Sequence, residues 1–241
     1  MKHAILLALA VLGAGVAHGA GSGAKALFYS GEGTTIAAPA PPVAPALQPA
    51  APPPEKPVQP AAAPSREKYM GIAYWVDLAG QDGRRVRTTT RREFSSGDRI
   101  KLGFKSNRDG YLYLSSLGST GTSRLMFPRP GENNNFVRAN REYSVPDGAY
   151  MRFDEHTGTE TLLLVLSPTP IAGLSPAAPG MDAHETRKFV AYANNNGAKD
   201  LLLEDDADSA KASPASYVVA PASRLEGGKV ISLYIRLKHG K

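Results

Sequence analysis

From residue 69 to its C-terminus the chain alternates short apolar runs with residues that form turns. The length and spacing of these runs favour an antiparallel β-sandwich or barrel. We therefore expect a mainly β fold, an antiparallel β-sandwich-like domain with one or two short helices, preceded by a disordered Pro/Ala-rich linker. The predicted strands cover residues 69–78, 99–105, 111–117, 123–127, 161–167, 217–220 and 229–238.

Residues 99–117 carry the strongest local pattern in the chain. Ile100, Leu102 and Phe104 alternate with polar and small residues, which places these three apolar side chains on one face of a strand and the cations on the other. The turn signal Asn107–Gly110 follows, and its glycine suits the positive φ that tight hairpins need. Because a second apolar run comes directly after this turn, we predict a β-hairpin here.

Two further segments complete the predicted domain. Thr161–Ser167 is a continuous apolar run, which is typical of a central strand covered on both faces. A helix is predicted farther on, since Asp182 can cap its N-terminus, Glu185 stands three residues later as in a capping box, and Asn194–Gly197 ends it. The inner face of this helix would consist of Phe189, Val190 and Ala193.

The first residues of the chain have the features of a secretory signal peptide. Met1–His3 is basic, Ala4–Ala17 is an apolar run, and small residues follow. The run is shorter than the roughly 20 residues that a membrane-spanning helix needs. We predict cleavage after Gly19, with Ala17 as the alternative. The mature protein is then expected in the periplasm, outside the cell or on its surface, with no transmembrane segment.

Composition divides the rest of the chain into a spacer and a domain. Eleven of the twenty prolines fall within residues 39–64, so we assign 36–66 to a Pro/Ala-rich linker and 67–241 to the domain. Proline favours the extended polyproline II conformation. At about 3.1 Å per residue, the Pro/Ala stretch could span roughly 90 Å as a semi-rigid spacer.

A short apolar peptide, assigned to residues 20–35, precedes the spacer. Its apolar residues lie within Lys25–Gly33, in otherwise polar surroundings. One interpretation is a tethered peptide that adds a strand to a partner or to its own domain. The other is a loosely ordered N-terminus, and the sequence does not decide between the two.

Catalytic and metal-binding patterns are scarce. The chain has no cysteine, no Gly-rich phosphate loop, no GxSxG motif and no HExxH motif, so we predict no enzyme, no cofactor and no metal. The strongest catalytic candidate is Asp154, Glu155 and His156 with Glu160 nearby, because carboxylates beside a histidine can exchange protons or bind a metal. This run lies at a predicted hairpin tip, where charged side chains are usually only solvated.

Positive charge is concentrated in one part of the chain. Five arginines fall within residues 84–92, whereas acidic residues gather at 204–208. Arginine clusters suit carboxylate and phosphate partners, so for an exported protein we expect an envelope protein or an anionic cell-envelope polymer, and no nucleic acid. The alternative is a solvated face that the acidic run partly neutralises. The candidate basic and aromatic face consists of Arg84, Arg85, Arg87, Arg91, Arg92, Arg99, Lys101, Arg108, Tyr111 and Tyr113.

A series of short motifs occurs in a characteristic order: Phe94–Ile100, Ser106–Tyr113, Leu125–Pro128, Tyr143–Pro146, Phe153–Asp154, Gly158–Ser167 and Ile235–His239. In this order they resemble the bacterial family called domain of unknown function 4384, over about residues 69–241. The resemblance implies a β-rich accessory domain with no established reaction, which occurs in exported proteins and beside signalling or protease-like modules. It therefore implies a binding or regulatory role.

Three functions remain open at this stage. The preferred one is an exported, non-enzymatic interaction or regulatory protein of the cell envelope. The second is an uncharacterised hydrolase of an envelope polymer that uses Asp154, Glu155 and His156. The third is a structural subunit of an envelope assembly, in which residues 25–33 are donated to a neighbour.

Overall fold

The computed structural model describes residues 23–30, 69–80, 82–118, 123–129, 132, 134–171, 183–206 and 214–241. The predicted signal peptide and spacer lie outside the described residues, as do the capping side chains predicted at Asp182 and Glu185. Two β-sheets make up most of the described chain, and a helix lies on the outer face of each. The predicted mainly β, sandwich-like fold is confirmed.

The first sheet contains seven strands, and all of its pairings are antiparallel. Its main path, in spatial order, is β11 (Leu202–Asp206), β12 (Ala215–Pro221), β1 (Tyr69–Ala79), β4 (Arg99–Ser106) and β8 (Glu142–Val145). Two short strands extend it, β2 (Arg85–Thr88) beside β1 and β9 (Met151–Arg152) beside β4.

The second sheet contains six strands, and only its pairing of β3 with β13 is parallel. Its order is β3 (Glu93–Phe94), β13 (Ile231–His239), β10 (Gly158–Ser167), β5 (Gly110–Leu117) and β6 (Ser123–Phe127). β7 (Phe136–Val137) pairs with β5, and a single 3₁₀ turn, Ala222–Leu225, connects β12 toward β13.

The main core lies between the two sheets and is built by alternation. Ile100, Leu102 and Phe104 of β4 all point into it, as the period-two pattern predicts. They meet the even-numbered leucines of β10, Leu162 and Leu164 among them. The cations of β4 lie on the outer face of the first sheet.

A helix covers part of each outer face, which explains why β1 and β10 are buried on both sides. α1 (Ala24–Tyr29) packs on the first sheet, and α2 (Ala183–Asn196) packs on the second. Phe189 and Ala193 of α2 are buried over Leu163 and Val165 of β10, which confirms both the predicted helix and the predicted central strand. None of the helices in the described ranges is long and apolar enough to cross a membrane.

The predicted hairpin over 99–117 is wrong. In the described part of the chain β4 pairs within the first sheet and β5 within the second, so the connection Asn107–Asp109 carries the chain from one sheet to the other. Gly110 does not have a positive φ. Its lack of a side chain serves close packing, since a Cβ there would lie 2.8 Å from the Ser167 carbonyl oxygen and 2.7 Å from Cε of Met70.

Gly110→Ala tests this explanation. We expect the free energy of unfolding to fall by about 1–3 kcal/mol, because the new methyl group would press on a backbone oxygen that cannot turn away. Gly158→Ala is the matched control: it also changes the first residue of a strand, but no atom lies within 4 Å of its Cβ position. Its effect should stay within about 0.5 kcal/mol in the same urea titration. Equal effects of the two substitutions would contradict the close-packing explanation.

Candidate functional site

The only tryptophan of the chain lies on the outer face of the first sheet, yet it is almost completely buried. Trp75 of β1 stands opposite Gly103 of β4, and its indole occupies the space that a side chain at Gly103 would need. The Arg87 guanidinium lies over the indole, 3.9 Å from the ring centroid. Trp75 is thus held between a glycine and a cation, an arrangement that combines packing with a cation–π attraction.

Arg87 is fixed in this position by two acidic side chains. Its Nη2 lies 3.0 Å from Oε2 of Glu142, and Nη1 lies 3.4 Å from Oε1 of the same carboxylate. Its Nε lies 3.4 Å from Oδ1 of Asp77, the residue directly opposite on β1. Two-point contact between a guanidinium and a carboxylate adds directional specificity to the attraction. The arginine is therefore a structural cover for Trp75 as well as a surface charge.

An open depression of about 840 Å³ surrounds this stack. Arg84 and Arg85 line it and are exposed. Arg84 lies 3.5 Å from Asp82 in an ion pair between two exposed side chains. Below, the arginine–tryptophan surface means the residues that line this depression: Trp75, Asp77, Arg84, Arg85, Arg87, Glu142, Tyr143 and Ser144.

The remaining predicted cations are dispersed and partly paired. Arg91 forms an ion pair with Asp205 of β11, so part of the acidic run lies against the arginine cluster. Arg92 lies 4.0 Å from Asp98. Arg99 and Lys101 both lie against the ring of a single tyrosine, Tyr150. Arg108 is half-buried beside the connection between the sheets.

Tyr111 and Tyr113 do not share a face with the arginines. Both belong to β5 in the second sheet, because the chain changes sheets after β4. The hydroxyl of Tyr113 accepts a hydrogen bond from the Ile171 N–H, and its ring lies 5.5 Å from that of Phe189 beneath α2. With 2% of its surface exposed, Tyr113 offers no contact area to a partner. The single basic and aromatic face expected from the sequence is therefore divided between two sheets.

The catalytic candidate Asp154–His156 lies on a loop between β9 and β10, which belong to different sheets. The loop is therefore not the predicted hairpin tip, although it is solvated as expected: the exposed fraction is 92% for the His156 side chain and 73% for that of Asp154. The His156 backbone N–H donates to Asp154 at 2.8 Å and is the main cause that holds the pKa of this carboxyl below its ordinary value.

A cleft of about 570 Å³ opens beside this loop, between the two sheets. Asp154 and Glu160 line it together, and Arg124 and Arg152 add two cations. His239 also lines the cleft and is buried, with Nε2 3.1 Å from the hydroxyl of Ser96. In the described ranges no three acidic or histidine side chains are arranged to hold a metal ion.

His239 is not among the site residues predicted from the sequence. The signal was present nonetheless, because the apolar positions of β13 alternate as Ile231, Leu233, Ile235 and Leu237, and His239 continues the inward series.

The N-terminal peptide forms a helix on the chain's own first sheet. α1 buries Phe28 completely, with its ring 5.5 Å from that of Tyr217. Full burial of a phenylalanine side chain is worth about 1.5–3 kcal/mol, so this residue is the main apolar anchor of the helix. Burial also raises the pKa of Tyr217, and the nearby Tyr29 hydroxyl reinforces the shift. The α1-binding surface consists of Ala73, Trp75, Ala215, Tyr217 and Val219.

Polar contacts fix α1 at both of its ends. Near its start, Lys25 forms an ion pair with Asp206, and its backbone N–H donates to Glu204 at 2.9 Å. Near its end, the Asn107 side-chain amide donates to the Phe28 carbonyl at 3.0 Å. The strand considered for this peptide is thus replaced by a helix, and its contacts are with its own domain.

Fold and surfaces together define a β-sandwich with a charged depression on one outer face and a cleft between its sheets. Comparison with protein families gives a match to the model described as Domain of unknown function (DUF4384), over residues 93–170. This match supports the family that the motifs resemble. The match covers β3 to β10, so β1, β2, β11–β13 and both helices lie outside it. No curated protein and no solved structure matches the chain.

Because Trp75 is the sole tryptophan, its fluorescence reports on the arginine that covers it. We expect Arg87→Ala to shift the emission to longer wavelength, to increase quenching by acrylamide, and to lower the free energy of unfolding by about 1–2 kcal/mol. Arg85→Ala is the matched control on the same strand and should change stability by no more than about 0.5 kcal/mol. Unchanged emission in Arg87→Ala would show that the guanidinium does not shield the indole.

Proposed function

We propose that the protein is an exported, non-enzymatic interaction or regulatory protein of the bacterial cell envelope, which binds an acidic protein segment through the arginine–tryptophan surface. The observation that carries this proposal is the pair of exposed arginines, Arg84 and Arg85. They line a depression in which the side chain of Arg87 is already held in place. Export rests on the signal peptide predicted from the first residues.

The base of the depression supports binding because it needs no rearrangement. Arg87 is held by Asp77 and Glu142 and stacked on a buried ring, so its position is set before any partner arrives. Side chains that are ordered in advance lose less conformational freedom on association.

The two exposed arginines supply the charge. No acidic side chain in the described ranges lies within ion-pair distance of Arg85, and the Asp82–Arg84 pair is exposed and easily replaced by an incoming carboxylate. Guanidinium groups bind carboxylates through two parallel hydrogen bonds. The acidic residues Asp77 and Glu142 in the same depression disfavour a long polyanion and favour a partner with isolated carboxylates.

Charge reversal tests this surface. The double variant Arg84→Glu/Arg85→Glu should capture its partner from envelope extracts at least about tenfold less well at low salt, a loss of about 1.4 kcal/mol. Wild-type capture should also weaken as salt is raised. Arg236→Glu/Lys238→Glu changes the charge equally on two exposed residues of β13 and serves as the matched control.

Capture that is unchanged in the first variant, or insensitive to salt, would contradict the proposal. If the protein retained a purified anionic polymer and captured no protein, the surface would be assigned to polymer binding.

The hydrolase alternative has one observation in its favour. Asp154 and Glu160, two carboxylates, line the same cleft as His239. His156, however, extends into solvent and lies outside the lining of this cleft. Turnover of an envelope polymer that is lost in Asp154→Asn would replace the binding proposal by this one.

A further inference from the structure

The contact between α1 and the first sheet involves few side chains of the helix. Ala24 and Phe28 are its fully buried side chains, and Leu27 is partly buried. A helix of six residues is too short to persist alone in water, so its conformation depends on the surface that receives it. α1 therefore behaves as a short peptide ligand that is joined to its own receptor by the chain.

The two ends of this joining segment lie close together. The amide nitrogen of Asn107 donates to the Phe28 carbonyl at 3.0 Å and lies 3.3 Å from the Tyr69 carbonyl. The carbonyl oxygens of Phe28 and Tyr69 both lie next to this one nitrogen, so they are close to each other. Thirty-eight residues, 31–68, connect Ser30 to Tyr69 across this short gap.

A connection of that length and composition is poorly suited to such a short gap. Eleven prolines occur within residues 39–64, and this composition predicts an extended spacer. Effective concentration falls once the length of a linker exceeds the distance that it must span. The length of the spacer therefore reduces the advantage of α1 on its own domain over α1 supplied by a neighbouring copy, which makes the same contacts.

We propose that α1 is exchanged between two copies of this chain: the α1-binding surface of each copy holds the α1 of the other, and the products are dimers linked by two crossing spacers. Every contact of the closed monomer is preserved in the dimer, so exchange needs no additional interface. Reciprocal donation closes the assembly with twofold symmetry. The proposal is independent of the arginine–tryptophan surface as a binding site for other partners.

The ion pair between Lys25 and Asp206 permits a test by charge exchange. Lys25→Glu places a carboxylate beside Asp206 and Glu204, and Asp206→Lys places two ammonium groups together. Each variant alone is mismatched, both within one chain and between identical chains. In an equimolar mixture both reciprocal contacts are matched again. The carboxylate introduced at position 25 of one chain meets the ammonium group introduced at position 206 of the other, and the native Lys25 and Asp206 meet in the second contact.

Sedimentation over a range of protein concentration measures the outcome. We expect wild type to dimerise as concentration rises. Each single variant should dimerise no more readily than wild type, because its mismatch weakens the closed monomer and the dimer alike. The mixture should form a one-to-one heterodimer at a lower concentration than wild type dimerises, because only exchange restores the ion pair. The double variant Lys25→Glu/Asp206→Lys should behave as wild type.

Two results would overturn the proposal. The first is a wild type and a mixture that both remain monomeric at every concentration, which would mean that α1 stays on its own domain. The second is a dimer that persists in Phe28→Asp, where the buried anchor is lost. Circular dichroism of each variant verifies that the sandwich remains folded, and the mixture provides a result even if Phe28→Asp does not fold.

Discussion

The side chain of Asn107 joins α1, the start of β1 and the connection between the two sheets. The other features of the structure depend on these three parts. Its oxygen accepts the Gly71 N–H at 2.8 Å, and its nitrogen donates to the Phe28 carbonyl. Asn107 is buried, so each of these bonds replaces water that cannot reach the site, and losing one leaves an unsatisfied polar group. The same residue begins the connection that moves the chain from the first sheet to the second. The start of β1, the change of sheet and the last turn of α1 are therefore fixed together.

The arrangement of the surfaces follows from this change of sheet. It leaves the cations of β4 on one side of the molecule and places the tyrosines of β5 on the other. It also leaves an apolar area on each outer face, which explains why each sheet is covered by a helix. Trp75 belongs to two surfaces at once, since it contacts the cluster around Phe28 and lies beneath Arg87. The arginine–tryptophan surface and the α1-binding surface are thus neighbours that share one buried ring.

Much of the fold was predictable because it rests on local patterns. Alternation in β4, continuous apolar residues in β10 and the helical spacing of Phe189 and Ala193 each define an element and its buried face. Pairing between strands was not predictable, because Asn107–Gly110 is equally compatible with a hairpin and with a change of sheet. α1 has six residues, too few for a helical period to be recognised in the sequence. Arg91 and Asp205 are far apart in the chain, so their ion pair is not visible in the sequence. Local sequence reports which face of an element is buried but not which element covers it.

Hydrogen–deuterium exchange of Asn107→Asp tests the central role of this residue most directly. The substitution keeps the oxygen that accepts the Gly71 N–H and replaces the donating amide by an oxygen that faces the Phe28 carbonyl. We predict that residues 24–30 lose their protection from exchange, whereas β10 keeps its own. Residues 24–30 that remain protected as in wild type would contradict the account.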